Sequence, residues 1–143
     1  MFKFNPNARR RVMYPVTLQL IGDGGEPAPV TFNMGFVLMN RDEYQAWFKK
    51  DFDASAENTE GGEQGLDALF ASLRKSLSDE ALSKRDTEIR AHCYDWDVVD
   101  ENEEPVQFSD DNLRALMNMG TAYALAVEQA WLDACRDAPV KNS

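Results

Sequence analysis

A chain of 143 residues with 43% hydrophobic and 28% charged side chains has the length and composition of one ordinary globular domain with its own core. The formal net charge of -10 argues against nucleic acid as a partner, because the phosphate backbone requires a basic surface. No run approaches the roughly 20 apolar residues of a membrane span, and the N-terminus lacks the apolar core of a signal peptide. We therefore expect a cytoplasmic protein that does not contact the membrane.

The charge is distributed unevenly along the chain. Residues 1–50 carry seven basic and four acidic side chains, whereas residues 51–143 carry eight and twenty-one. Arg9, Arg10 and Arg11 form a basic run, which is usually a solvated strand entrance but can also meet an acidic patch on a neighbouring subunit. Because the unlike halves attract each other, we predict a homo-oligomer.

The first predicted elements are two strands, residues 12–21 and 30–39. Apolar side chains occupy alternate positions in both segments, and this period of two is typical of half-buried strands. The glycines and prolines of GDGGEPAP lie between them, and they favour a long exposed hairpin loop. Pro15 removes a ladder donor, so the first strand is either an edge strand or begins after it.

A helix is predicted to follow from about Arg41 to Lys50. Asn40 and Glu43 have the spacing of a capping box, and Tyr44, Trp47 and Phe48 are expected on its buried side. The polar, glycine-rich sequence DFDASAENTEGGEQG at residues 51–65 predicts a flexible acidic linker.

The remaining sequence predicts a mainly helical part, residues 66–138, and a frayed tail, residues 139–143. An apolar stripe at spacings of three and four predicts a helix over residues 66–77. Either Ser78 or Ser83 is expected to cap a second helix that carries Leu82, Ile89 and Cys93. The whole chain is predicted to be one domain of the α+β class, with an N-terminal β-hairpin and several packed α-helices.

A turn-rich acidic segment, YDWDVVDENEEPVQFSDDN, is predicted to separate this helix from the last one. Trp96 is expected to pin the turn by stacking on Pro105 or Phe108. Ser109 or Asp110 is expected to cap a helix that continues to about residue 137. A glycine at position 120 is expected to kink or divide that helix, because glycine costs about 1 kcal/mol relative to alanine in a helix interior.

No constellation of side chains points to catalysis. His92, the only histidine, is followed by Cys93, but neighbours on a helix point about 100° apart and do not form a nucleophile–base pair. Cys93 and Cys135 have no metal-ligand spacing and are interpreted as apolar side chains of a reducing compartment. The acidic turn lacks the central glycine of a calcium loop. We therefore predict no enzyme, no metal and no cofactor.

Taken together, several segments resemble the tail-assembly chaperones of long-tailed phages and prophages. The segments MFKFNPN, PVTLQL and PVTFNMGFVLMNRDEYQAW resemble the strand–loop–strand–helix opening of that family. WDVVDENEEPVQFSDDNLRALMNM resembles its tryptophan, acidic turn and helix. The positions that carry this signature are Trp96, Asp100, Glu101, Pro105, Val106, Phe108, Ser109 and Leu113.

The resemblance implies an α+β protein that solubilises the tape-measure protein, helps recruit tail-tube subunits, self-associates and is absent from the finished tail. Family members commonly carry a glycine where this chain has Glu103, and we expect Asn102 to supply the positive φ here. Two alternatives from other classes remain open. One is an acidic DNA mimic that inhibits a nucleic-acid-binding protein, and the other is a small enzyme whose site consists of carboxylates alone.

Overall fold

The computed structural model describes residues 1–56 and 79–140, which form an α+β fold, as predicted. Three strands make one antiparallel sheet, and the C-terminal part is mainly helical. Contacts divide the chain into two compact units, Met1–Leu38 with Ile89–Ser143, and Met39–Glu88. The elements in chain order are β1 Arg11–Leu18, β2 Val30–Val37, α1 Arg41–Ala56, α2 Asp79–Ala91, β3 Cys93–Trp96, α3 Asp110–Met117 and α4 Thr121–Cys135.

Strands β1 and β2 form the predicted hairpin. They pair antiparallel, with Tyr14 opposite Met34 and Val16 opposite Phe32. Val16 and Met34 are fully buried, because the alternation of side chains places them on the face that meets the core. The sheet has the order β1-β2-β3, so β1 is an edge strand. The edge position explains how Pro15 is tolerated within the strand.

A third strand, β3, lies at the start of the segment that was predicted to be turn-rich. It pairs antiparallel with β2, with Trp96 opposite Met34 and Cys93 opposite Phe36. The assignment of Cys93 to the preceding helix was wrong, since α2 ends at Ala91. A strand of four residues is too short to establish a period of two, and it forms here because β2 supplies the hydrogen-bonding partner.

Helix α4 covers the buried face of the sheet and packs against β1. Its centre is Trp131, which is fully buried and donates from Nε1 to the carbonyl oxygen of Val37 at 3.2 Å. The Trp131 ring lies 4.8 Å from the His92 ring, centroid to centroid. Truncating a buried tryptophan costs about 3–5 kcal/mol. Trp131 is therefore a core residue.

In the second unit, helix α1 begins at the predicted capping box. The backbone N–H of Glu43 donates to the Asn40 side chain at 2.8 Å, and the backbone N–H of Asn40 donates to the Glu43 carboxylate at 3.2 Å. Trp47 is buried, and the Arg85 guanidinium lies 5.3 Å from its ring centroid. The assignment of Phe48 to the buried side was wrong, because Phe48 is 44% exposed.

Helix α1 continues to Ala56, so the first six residues of the predicted linker, Asp51–Ala56, are helical. No glycine or proline occurs in DFDASA, and nothing in this sequence stops the helix. Residues 57–65 of the linker and the helix predicted over residues 66–77 lie outside the described residues. Ser83 does not cap α2, which already begins at Asp79.

The last helix predicted from the sequence is two helices in the structure, α3 and α4. The division falls at Gly120, which precedes the first residue of α4 and carries its cap position. The backbone N–H of Tyr123 donates to the Gly120 carbonyl at 3.1 Å. Of the two alternatives for Gly120, a kink or a division, the structure has the division. Helices α3 and α4 contact each other across this corner.

Candidate functional site

The signature residues come together around Trp96, at the end of β3. The indole Nε1 of Trp96 donates to the carbonyl oxygen of Val106 at 2.7 Å. The Phe108 ring meets the Trp96 ring edge to face, with centroids 5.4 Å apart and planes at 90°, a favoured geometry for aromatic pairs. Of the two predicted partners, Phe108 is therefore a contact of Trp96. The contact is edge to face rather than stacked.

The acidic segment between Trp96 and Phe108 is a tight hairpin. Val99 and Pro105 form an antiparallel bridge, and the backbone of Val106 donates to the Val98 carbonyl at 2.9 Å. Asp100 holds the turn, because its carboxylate accepts the N–H groups at positions 102 and 104 at 2.8 and 3.0 Å. This carboxylate therefore organises the backbone of the turn.

The residue with positive φ in this hairpin is Glu103, at φ 61°. Our assignment of that conformation to Asn102 was wrong. The N–H of Glu103 donates to the Asp100 carbonyl at 3.0 Å, and Asp100 donates to the Glu104 carbonyl at 2.8 Å. This is a three-residue hairpin loop whose last residue must be left-handed. The geometry of the loop decides which residue has a positive φ. The preference of asparagine for positive φ therefore did not predict the residue correctly.

Helix α3 begins directly after the hairpin. Ser109 is its N-cap, and its hydroxyl accepts the backbone N–H of Asn112 at 3.1 Å, as one of the two predicted caps. Asp110 pairs with Arg90 at 3.0 Å. Leu113 is fully buried. The tryptophan, the hairpin and the start of α3 therefore form one packed segment that contains all eight signature positions. Among these, structural contacts are made by Trp96, Pro105, Val106, Phe108 and Ser109.

The arginine run lies at the entrance of β1. Arg10 makes a bidentate contact with Asp137, at 2.7 and 3.0 Å, and this hydrogen bond and charge lower the pKa of Asp137. The Arg11 guanidinium lies 5.3 Å from the Tyr94 ring centroid. Tyr94 covers Gly35, where an added Cβ would lie 2.6 Å from the ring. Arg10 and Arg11 thus have intramolecular partners, and a role of Arg9, Arg10 and Arg11 in self-association remains a prediction.

Asp137 also ends helix α4. It has a φ of 54°, and its N–H donates to the Ala134 carbonyl at 3.0 Å while Ala138 donates to the Asp133 carbonyl at 3.0 Å. These two bonds define a Schellman motif, in which the left-handed residue is usually glycine. The Tyr14 hydroxyl donates to the Ala138 carbonyl at 3.0 Å. The end of α4 is therefore bound to β1, a contact between residues more than 120 positions apart that no local pattern indicates.

Cys93, the candidate nucleophile, lies in an environment that disfavours its reactive thiolate form. Cys93 is buried, its thiol donates to the Ile89 carbonyl at 3.3 Å, and burial raises its pKa to about 12. At neutral pH the thiol is protonated, and the thiolate is the reactive form of cysteine. The neighbouring His92 ring contacts the buried Trp131 ring, with centroids 4.8 Å apart. This geometry does not provide an activated nucleophile.

Metal ligation and membrane crossing are two further functions to weigh for residues 1–56 and 79–140. Within these residues, no group of three or more His, Cys, Asp or Glu side chains converges as metal ligands. Over the same part of the chain, every helix is too short or too polar to cross a membrane.

Several large apolar side chains are exposed to solvent. Met119 at the α3–α4 corner is 67% exposed, and Leu125 on α4 is 58% exposed. Phe2 and Phe4 of the N-terminal segment are also largely exposed. Large exposed apolar groups mark interaction surfaces when they occur together. The chemistry available at these positions is therefore apolar contact, combined with the acidic character of the chain.

Comparisons with known proteins identify no relative of this chain. No family model matches the chain, and no curated protein and no solved structure matches it.

Proposed function

We propose that this protein is a tail-assembly chaperone of a long-tailed phage or prophage. In this proposal it binds the tape-measure protein, keeps it soluble and helps bring tail-tube subunits to it. It works as a homo-oligomer in the cytoplasm of the bacterial host and does not remain in the mature virion. Binding alone is sufficient for this role, so it needs no catalytic residue and no cofactor.

The observation that carries the proposal is the conformation of Glu103. The resemblance rests on a tryptophan, an acidic turn and a Pro-Val-x-Phe-Ser sequence, and the family commonly has glycine at this position of the turn. Glu103 has a φ of 61°, a conformation that glycine adopts without the cost that a side chain brings. A backbone conformation that favours glycine, at the place where the family has it, supports a shared hairpin.

The packing of the same segment supports the proposal further. Trp96 contacts both Val106 and Phe108, and Ser109 starts α3. The residues of the resemblance are thus neighbours in space as well as in the sequence. They hold one structural unit together, which is the role that a family signature has in a protein without catalytic residues.

The binding mechanism follows from apolar contact and charge. A long helical client exposes apolar stripes that aggregate in water, and covering them with apolar side chains removes that surface from water. Leu125 and Met119 are exposed side chains of this kind. The net charge of -10 keeps the complex dispersed, because like charges repel other complexes.

The test is coexpression with the tape-measure protein of the same phage. We expect the soluble yield of the client to rise in the presence of this protein. Leu125→Glu should reduce that effect, because burying an unpaired charge against an apolar client is costly. Ile21→Glu is the matched control, since it makes the same kind of change at a side chain that is 76% exposed in the hairpin loop.

Circular dichroism of both variants establishes that each is folded before their effects are compared. Equal precipitation of the client with and without the wild-type protein would contradict the proposal. If that outcome is accompanied by stoichiometric, salt-sensitive inhibition of a DNA-binding enzyme, the protein is an acidic DNA mimic.

A further inference from the structure

The outer edge of β1 carries backbone groups that β2 does not use. Leu38 donates to the Arg10 carbonyl at 2.8 Å, and Ala28 donates to the Leu20 carbonyl at 2.8 Å. In an antiparallel pair the side on which a residue forms its hydrogen bonds alternates along the strand. The even-numbered residues of β1 therefore bond to β2, and the odd-numbered residues direct their N–H and C=O groups outward. These residues are Arg11, Met13, Pro15 and Thr17.

Three of the four residues with outward backbone groups are exposed. Met13 is 50% exposed, and Arg11 and Thr17 are exposed. In the part of the chain that the structure describes, the backbone hydrogen bonds outside helices and strands do not involve these residues. An open edge is a template for another strand unless it is blocked. Pro15 removes one donor from the middle of the edge and leaves the others.

We propose that the edge of β1 pairs antiparallel with β1 of a second copy of this chain, which joins the two sheets into one. The order of charges along the chain fits a second copy in the antiparallel orientation. Arg9, Arg10 and Arg11 lie at the start of β1, and Asp23 and Glu26 lie in the loop beyond its end. An antiparallel pair of identical strands places each basic start beside an acidic end, whereas a parallel pair would place arginine against arginine.

Pro15 excludes one register of this pair, and the register with Tyr14 on the two-fold axis is the one we propose. If Pro15 faced its own copy, a hydrogen-bonded position would contain no donor at all. With Tyr14 on the two-fold axis, Met13 of one copy faces Pro15 of the other, and Arg11 faces Thr17. Every outward N–H of β1 then finds a carbonyl.

The same register brings the opposite charges near each other. Arg9 of one copy faces position 19 of the other, and Asp23 lies four residues further along, or about 13 Å at 3.3 Å per residue. This separation is on the order of the Debye length at 0.1 M ionic strength. The charges therefore orient the encounter at moderate salt, and the strand pairing supplies the contact itself.

The inference rests on the homo-oligomer of the proposed function and deepens it, because it assigns that oligomer a surface that is separate from the exposed side chains of α4. The contact needs neither a client nor a tail-tube subunit. It is therefore tested with the purified chain alone, and its outcome does not depend on the outcome of the coexpression experiment.

The test is oxidative crosslinking of the Arg11→Cys/Thr17→Cys double variant. A hydrogen-bonded antiparallel pair has Cα atoms about 5.5 Å apart, which a disulfide spans. Within one chain these positions are about 20 Å apart along the strand, so they cannot bridge to each other. We expect the double variant to form covalent dimers on a non-reducing gel.

The two single variants are the matched controls, and they contain the same natural cysteines. In the proposed register each engineered cysteine lies about 20 Å from its own copy, so neither single variant should crosslink. Absence of dimers in the double variant would overturn the proposal. Equal crosslinking in the single variants would overturn it as well.

Met13→Pro provides a second measurement. It removes an outward N–H but no bond to β2, so far-UV circular dichroism should retain the wild-type spectrum. Each dimer loses two hydrogen bonds by symmetry, and we expect the dissociation constant measured by sedimentation to rise about tenfold or more. An unchanged constant, or a wild-type chain that sediments as a monomer at every concentration, would show that the edge does not bind a second copy.

Discussion

The hairpin between Trp96 and Phe108 gives the sharpest test of the structure, through the substitution Glu103→Gly. Glu103 has a φ of 61°, in the region where a side chain crowds the following carbonyl oxygen. Its side chain is exposed, so the substitution removes no buried contact. Glycine relieves the crowding and leaves the backbone bonds with Asp100 and Glu104 intact.

The expected change in the free energy of unfolding for Glu103→Gly is the sum of two opposing contributions. A left-handed residue with a Cβ costs about 1–2 kcal/mol, which Glu103→Gly recovers. Glycine loses more backbone freedom on folding, which costs about 0.5–1 kcal/mol. The net expectation is a stabilisation of about 0.5–1 kcal/mol. For a chain of this size that corresponds to a rise in Tm of about 1–4 °C.

Two control variants separate the relief of backbone strain at residue 103 from the entropy of glycine and from the loss of a charge. Asn102→Gly makes the same change one residue earlier, where φ is not positive, so it should destabilise the protein. Glu103→Ala removes the charge and keeps the strain, so it should not give the stabilisation seen with glycine. Urea unfolding followed by tryptophan fluorescence measures all three. A loss of stability in Glu103→Gly, or the same change in both glycine variants, would refute the left-handed hairpin.

The remaining predictions concern two other contacts. Trp96→Phe keeps an aromatic side chain, though a smaller one, and leaves the Val106 carbonyl without its indole donor. We expect a loss of at least about 1–2 kcal/mol in urea unfolding, and unchanged stability would contradict the bond. Asp137→Asn tests the pair with Arg10, which lowers the pKa of Asp137. A lowered folded-state pKa gives stability that is present above the ordinary aspartate pKa and lost as the pH falls through the folded value. The variant should therefore be less stable than wild type at neutral pH, by at most about 1 kcal/mol because the pair is exposed, and should match it in acid. A difference that persists in acid would assign the effect to something other than charge.

Local patterns in the sequence were sufficient for the elements whose signals are local. The hairpin of β1 and β2 follows from alternating apolar residues, and its pairing has that alternation. Asn40 and Glu43 form a capping box because both partners lie within one helical turn. Ser109 caps α3 for the same reason. In each case the interacting groups are separated by only a few residues, so spacing alone identifies them.

The ends of helices and the shortest strand were harder to predict from the sequence. Helix α1 continues to Ala56 because polar residues without glycine or proline are compatible with either a helix or a loop. Strand β3 was not predicted, since CYDW is too short to show a period and depends on β2 for its hydrogen bonds. Phe48 lies on the apolar stripe of α1 but is exposed, because the stripe does not specify how much of it a neighbour covers.

The sequence by itself determined the α+β class, the hairpin, the helix caps and the acidic character, since these depend on composition and on neighbours along the chain. Only the tertiary structure decided that Arg10 meets Asp137 and that Trp131 reaches Val37. It also decided that Glu103 is the left-handed residue. Contacts between distant residues depend on how elements pack, and the conformation of a turn residue depends on how both strands of the hairpin pair; neither is encoded in the spacing of residues along the chain.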